Sequence, residues 1–273
     1  MCKIASFIGT RHGDEVRVYW SRHTESHEGI CEEHNIRAQA ADGLPLRIVK
    51  LEVCPPYKDL TRPLEAWAYG VDGEAPDWYA EVAERLEAAT RAALREWAAA
   101  KLFTTGSHDV GAGQVYVAGA AVVTQSIREG ETGTQEVYAS GTGTQVVYGS
   151  GTGRQEVSYS GTGRQVVYDS GTGTQEVYDS GTGRQVVYAS GTGRQVVYAS
   201  GTGRQEVSAS GTGTQEVYDS GTGRQVVYDS GTGTQVVYDS GTGTQVVYDS
   251  GTGRQEVYDS GTGTQLTGHI DEN

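Results

Sequence analysis

The chain has 273 residues, a net charge of −14, 40 glycines, only 5 prolines and 3 cysteines. Excess glycine without proline excludes a collagen-like strand or a proline-rich linker, and no run approaches the ~18 apolar residues of a membrane span. Residues 131–273 carry 7 arginines against 16 acidic residues and residues 1–130 are net −5, so neither half suits a nucleic-acid backbone.

Cys2, Cys31 and Cys54 are odd in number and lack a framework spacing, which predicts reduced thiols in a cytoplasmic protein. The first residues, MCKIASFIGTRHGDE, show no basic region followed by a long apolar core, so no cleavable signal is expected. Residues 1–105 read as a small α+β domain. ASFIG (5–9), VRVYW (16–20), LRIVKLEV (46–53) and AWAYG (66–70) are β-branched or aromatic and predict strands. A helix is expected from Asp77, placed as its cap, towards a stop at Gly106. Trp78, Val82, Leu86, Ala89, Ala93 and Trp97 form its apolar face.

Between the first two strands and the third lies HTESHEGICEEH (23–34). On a helix, His23, His27, Cys31 and His34 would share one face, and His/Cys is a zinc-type ligand set. Such a site would give this domain a metal-dependent activity. The alternative is a polar surface segment, with Glu25, Glu28, Glu32 and Glu33 solvated. No other cofactor is expected.

Residues 106–130 hold fragments of a later word out of register and predict degenerate first coils. From 131 to 265 one decapeptide recurs, Gly-Thr-Gly-Thr/Arg-Gln-Val/Glu-Val-Tyr-x-Ser. Ten residues cannot bury a core alone, but stacked copies can, which predicts a β-solenoid of decapeptide coils. Positions four and six accept Arg and Glu, so they face water. Strand alternation then turns Gln and Val at five and seven inward, and Tyr at eight outward. One word per coil would give a rod of roughly 65 Å, with two words per turn as the alternative. The Ser-Gly-Thr-Gly run is assigned to tight corners. Residues 266–273, with Asp271 and Glu272, are expected to cap the far end.

The outward columns predict a self-association face in which Val146, Val166, Val186, Val196, Val226, Val236 and Val246 alternate with Tyr148, Tyr168, Tyr188, Tyr198, Tyr228, Tyr238 and Tyr248. Arg184, Arg194 and Arg204 form a short basic stripe, and the aspartates at position nine predict hydrated corners rather than a calcium site. The reading is of a non-enzymatic structural protein, a homo-oligomer without nucleic-acid or membrane partners.

The TGTQ strand with inward Gln and Ser and a Tyr ladder resembles the repeats of bacterial ice-nucleation proteins, and the ten-residue coil is similar to small insect antifreeze solenoids. The resemblance covers about residues 131–265. It implies an ice-binding surface on four threonine pairs: Thr142 with Thr144, Thr172 with Thr174, Thr232 with Thr234, and Thr242 with Thr244. Arg replaces the second Thr in seven copies, among them Arg154, Arg164 and Arg224, and such families use arginine-bearing coils for assembly.

Overall fold

A computed structural model describes residues 4–37 and 46–268. Cys2 and the expected cap at 269–273, with Asp271 and Glu272, lie outside the described residues; Leu266–Gly268 continue the last strand. The chain divides into two compact units, residues 1–102 and 103–273.

The first unit is a four-stranded antiparallel sheet with one long helix. Its strands β1 (Ala5–His12), β2 (Glu15–Tyr19), β3 (Arg47–Cys54) and β4 (Ala68–Val71) lie in the order β2-β1-β3-β4. A short helix α1 (His27–Glu33) follows β2, capped by the Ser26 side chain, and α2 spans Ala83–Lys101. Leu86, Leu94 and Trp97 of α2 are buried, as are Phe7, Ile8, Leu51 and Val53 of the sheet.

The predicted long helix starts later and stops earlier than expected. Tyr79–Glu81 forms a 3-10 turn, the chain kinks at Val82, and α2 has no side-chain cap. Asp77 therefore does not cap it. At its far end Leu102 turns extended directly after Lys101, well before Gly106.

The second unit is the predicted β-solenoid, built from two nine-stranded parallel sheets. Its turn is two words long. Thr142 pairs with Thr162 and Gln145 with Gln165, a register of i to i+20 that holds from word to word. The physical reason is local. Each word is a straight six-residue strand followed by one tight turn, closed by Gly181 N–H donating to the Tyr178 carbonyl at 3.0 Å and its equivalents. One reversal sends the chain back; two are needed to return to the starting sheet. Nine strands at ~4.8 Å give a stack of about 38 Å, shorter than one-word coils would make. The degenerate coils are found at Gly113–Val117 and Val122–Ile127, which pair with the first true words.

Sheet I contains the strands that begin at Thr132, Thr152, Thr172, Thr192, Thr212, Thr232 and Thr252; sheet II contains those that begin at Thr142, Thr162, Thr182, Thr202, Thr222, Thr242 and Thr262. Between them the lumen is narrow and full. Val at seven and Gln at five are inward and, up to Gln245 and Val247, buried, as expected; in the last turn Gln255 is half-buried and Val257 and Gln265 are exposed. From Gln145 to Gln255 each Gln amide nitrogen donates to the Gln oxygen one turn below and contacts two carbonyls of the facing sheet. For Gln185 these partners are Gln165 Oε1 at 2.6 Å, Gly173 O at 3.0 Å and Arg194 O at 3.1 Å. The polar lumen is thus hydrogen-bonded along its length, the condition under which buried amides are tolerated.

The position-one glycine serves the corner, as expected, but the position-three glycine does a different task. Gly183 has no positive φ, but a Cβ there would lie 2.3 Å from Val177 Cγ2 and 2.8 Å from Gln175 Oε1. Position three is glycine because the facing sheet occupies its side-chain space. The conformational strain of the corner falls on position nine, where Asp169, Ala199, Asp229 and their equivalents hold φ between 50° and 58°. This is the left-handed region, in which Asp is better tolerated than Ala. Ser at ten ties successive corners, with Ser250 Oγ donating to the Asp229 carbonyl at 3.1 Å.

Candidate functional site: two unlike faces

A two-word turn means that alternate words face opposite ways. The decapeptide columns therefore divide by word parity into two surfaces. On sheet II, position six is Val146, Val166, Val186, Glu206, Val226 and Val246, and position four includes a continuous run of Arg164, Arg184, Arg204 and Arg224. On sheet I, position six is Glu136, Glu156, Glu176, Val196, Glu216, Val236 and Glu256, and the arginines are Arg154, Arg194 and Arg254. The basic stripe read as Arg184, Arg194 and Arg204 is corrected: Arg194 lies on the other sheet, and the true stripe is the four-rung run on sheet II.

The single Val/Tyr face is likewise corrected. Val196 with Tyr198 and Val236 with Tyr238 belong to sheet I, and the other five pairs belong to sheet II. Nor is the valine column bare. Val166, Val186, Val196, Val226 and Val246 are all buried, while Val146 and Val236 are half-buried. The first four of the buried ones follow Arg two residues earlier, and the half-buried ones follow Thr. Neighbours at i and i+2 share a strand face, and an Arg stem lies across apolar surface while its guanidinium stays wet. Val246 follows Thr244 instead and pairs with Leu266, the larger apolar residue of the last rung.

Tyrosine at position eight lies outside, at the corners, as predicted. The rings stack one turn apart: Tyr148–Tyr168–Tyr188 and Tyr228–Tyr248 on one rim, Tyr178–Tyr198–Tyr218–Tyr238–Tyr258 on the other, with centroids 4.6–5.4 Å apart. Ser208 and Ser158 interrupt the columns. The Tyr218 hydroxyl donates to Glu216 at 2.8 Å, and Tyr178 donates to Glu176. Burial, then the neighbouring carboxylate, pushes both phenols well above their usual range.

Ion pairs run diagonally across rungs. Arg184 bridges to Glu206 at 3.0 Å, Arg194 to Glu216 at 2.9 Å and Arg154 to Glu176 at 3.1 Å. Arg204 also meets Glu206 at 2.8 Å. Among the described residues, Arg164 and Arg224 have no carboxylate partner.

The threonine pairs of the ice-binding reading do not form one surface, and this expectation is corrected in two respects. First, they are dispersed. Thr142 and Thr144, and likewise Thr242 and Thr244, are on sheet II, five turns apart with the arginine run between them. Thr172 and Thr174, and likewise Thr232 and Thr234, are on sheet I, with Arg194 on an intervening rung. Second, the position-four member of each pair is not fully open to water. Thr144, Thr174, Thr234 and Thr244 are half-buried, whereas Thr172, Thr232 and Thr242 at position two are exposed. The reason is the neighbouring rung. Thr144 pairs with Arg164, Thr174 with Arg154 and Arg194, Thr234 with Arg254, and Thr244 with Arg224. A short threonine beside a long arginine side chain is shaded by it.

In the first unit the four proposed metal ligands are not gathered. His23 is exposed and lies outside α1. His27 sits against the Leu51 carbonyl at 3.2 Å and Asp72 at 3.4 Å, whereas His34 meets the Trp20 carbonyl at 2.8 Å and packs on Tyr19. Burial pushes the Cys31 thiol up, away from the thiolate that binds metals. Among the described residues no three His, Cys, Asp or Glu side chains are grouped to hold a metal ion.

Glu25 reverses the expectation of a solvated acid. It is buried against fully buried Lys101 at 2.5 Å, and it also accepts from Trp97 Nε1 and the Ser6 amide, each at 2.9 Å. Desolvation pushes its pKa up, against the pull of Lys101. No sequence signal marked this pair, because Glu25 and Lys101 are 76 residues apart. A cleft of about 170 Å³ lined by Thr10, His12, Glu15, Arg17, Tyr19 and Leu46 holds an exposed Arg17–Glu15 ion pair at 2.8 Å. That pair keeps the Glu15 carboxyl below its usual range.

No protein-family model matches the chain, and no curated protein matches it in sequence. Among solved structures it is similar to the TibC-catalysed, hyper-glycosylated TibA fragment, at 19% identity and a TM-score of 0.22, over 60% of this chain and 93% of that one. The solenoid assignment rests on the chain's own i-to-i+20 register.

Proposed function

We infer that this chain is a non-enzymatic structural solenoid that self-associates through its broad outer sheets. The observation that carries this reading is the division of labour within the word. Gln, Val and Gly fill the lumen, leaving charged and aromatic side chains in regular rungs on two flat exteriors. Such a body is suited to surface recognition and stiffness, since its interior is consumed by packing.

Self-association was expected through a Val/Tyr strip. With five of the seven valines buried, the chemistry available for contact is instead the arginine and glutamate rungs, the threonines and the tyrosine rims. Sedimentation velocity of the full chain over a hundredfold concentration range tests the reading. Concentration-dependent oligomers are expected; a monomer at every concentration refutes it.

A further inference from the structure

We propose that the arginine face of sheet II in one copy docks on the glutamate face of sheet I in a second copy, so that copies stack face to face. This rests on the self-association reading above and specifies which surfaces meet.

Three observations carry it. The first is charge. At positions four and six sheet II has four arginines against Glu206 and, on its first strand, Asp109, net +2, with Arg164 and Arg224 lacking a carboxylate partner among the described residues. At the same positions sheet I has five glutamates against three arginines, net −2. The aspartates of position nine lie on the corners between the sheets rather than on either flat face. In a chain of net charge −14, a four-rung arginine run is a local inversion, and an oppositely charged face is carried by the same molecule.

The second is period. Both faces repeat at the ~4.8 Å interstrand spacing. The rungs of two copies are therefore commensurate along their length, and successive guanidiniums can meet the three consecutive glutamate rungs Glu136, Glu156 and Glu176.

The third is area. A nine-stranded sheet of mostly six-residue strands, with shorter first strands, presents at most about 38 Å by 20 Å, so a face-to-face pair buries up to about 1,500 Å² in total, the size of a specific interface. The contact joins two different surfaces, which leaves one free face of each kind. It is heterologous and open-ended, and it extends into a stack rather than closing as a dimer.

The test compares wild type with charge-reversed full-length proteins by sedimentation and negative-stain imaging at low and high salt. Wild type should form stacks that dissociate between 50 mM and 1 M salt, where screening shortens to about 3 Å. The triple variant Arg164→Glu, Arg184→Glu, Arg224→Glu and, separately, the triple variant Glu136→Lys, Glu176→Lys, Glu216→Lys should each weaken association at least tenfold. Mixing the two should restore it as a hetero-complex, since the unaltered sheet I of the first variant meets the unaltered sheet II of the second, and the two reversed faces also complement each other. All substituted positions face outward, and circular dichroism verifies folding. As a further control, Arg164→Thr, Arg184→Thr, Arg224→Thr uses the residue that other words carry at that position, and it should also weaken association. Oligomers that persist in all charge variants overturn this proposal and leave self-association standing. A wild type that stays monomeric but binds dextran sulfate through the arginine run also overturns it, and identifies the face as a polyanion site.

Discussion

Replacing Gln185 by Leu tests the amide ladder at its centre. Gln185 is fully buried, and its Nε2 supplies the donor to Gln165 Oε1 at 2.6 Å. Its own Oε1 accepts from Gln205 Nε2 at 2.6 Å. Leucine removes both amide–amide bonds and also the contacts to the Gly173 and Arg194 carbonyls. Gln165 Oε1 is then orphaned, while Gln205 Nε2 keeps the Gly193 and Thr214 carbonyls. The two amide–amide bonds alone, at ~1 kcal/mol each, and one unsatisfied buried oxygen at ~1–3 kcal/mol, exceed the gain from burying an apolar side chain, for a net loss of at least about 2–4 kcal/mol. For a unit of this size that lowers Tm by roughly 4–15 °C. Gln265→Leu is the internal control. Gln265 is exposed in the last turn and donates to Gln245 at 2.8 Å, so its replacement should stay within about 0.5 kcal/mol. Thermal melts by far-ultraviolet circular dichroism, with amide exchange of the flanking turns, read both. If Gln185→Leu matches or exceeds wild-type stability, packing alone holds the lumen and the ladder argument is wrong.

Two further outcomes are expected. Ala199→Gly removes the left-handed strain at φ 52° and should raise stability by up to ~1 kcal/mol against the chain-entropy cost, whereas Thr202→Gly in a strand should lower it; chemical denaturation distinguishes the signs. Tyr178 and Tyr218 have folded-state pKa values raised above the ordinary tyrosine value of 10.0. The unfolded chain therefore releases these protons first, so their contribution is fully present below about pH 10 and is lost as pH rises through the folded values. Absorbance titration at 295 nm should show these phenols ionising late, and denaturation midpoints should fall above pH 10. Ordinary titration of both tyrosines would remove the carboxylate-coupled ladder.

Much of the solenoid was legible because alternation along a strand is a local property. Arg and Glu at positions four and six declared those columns wet, which assigned Gln and Val to the lumen and Tyr to the exterior without any long-range information. The same columns hid how much a neighbouring rung covers: Thr144, Thr174, Thr234 and Thr244 face outward yet are half-buried, because the residue beside each is twenty positions away. The first unit was legible where β-branched runs and a helical face recur, as in β1, β3 and the middle of α2. It was not legible at Glu25 and Lys101, whose burial depends on elements far apart in sequence.

Only the tertiary structure decided how many words close a turn, and this governs the surface. A word carries one reversal, so position in space follows word parity, and residues twenty apart become neighbours while residues ten apart face opposite ways. That rule split the expected Val/Tyr strip, joined Arg164 to Arg184, Arg204 and Arg224, and gathered most of the glutamates on the other sheet. The spelling of each decapeptide determined what points in and out; the closure of the coil determined which outward residues share a face.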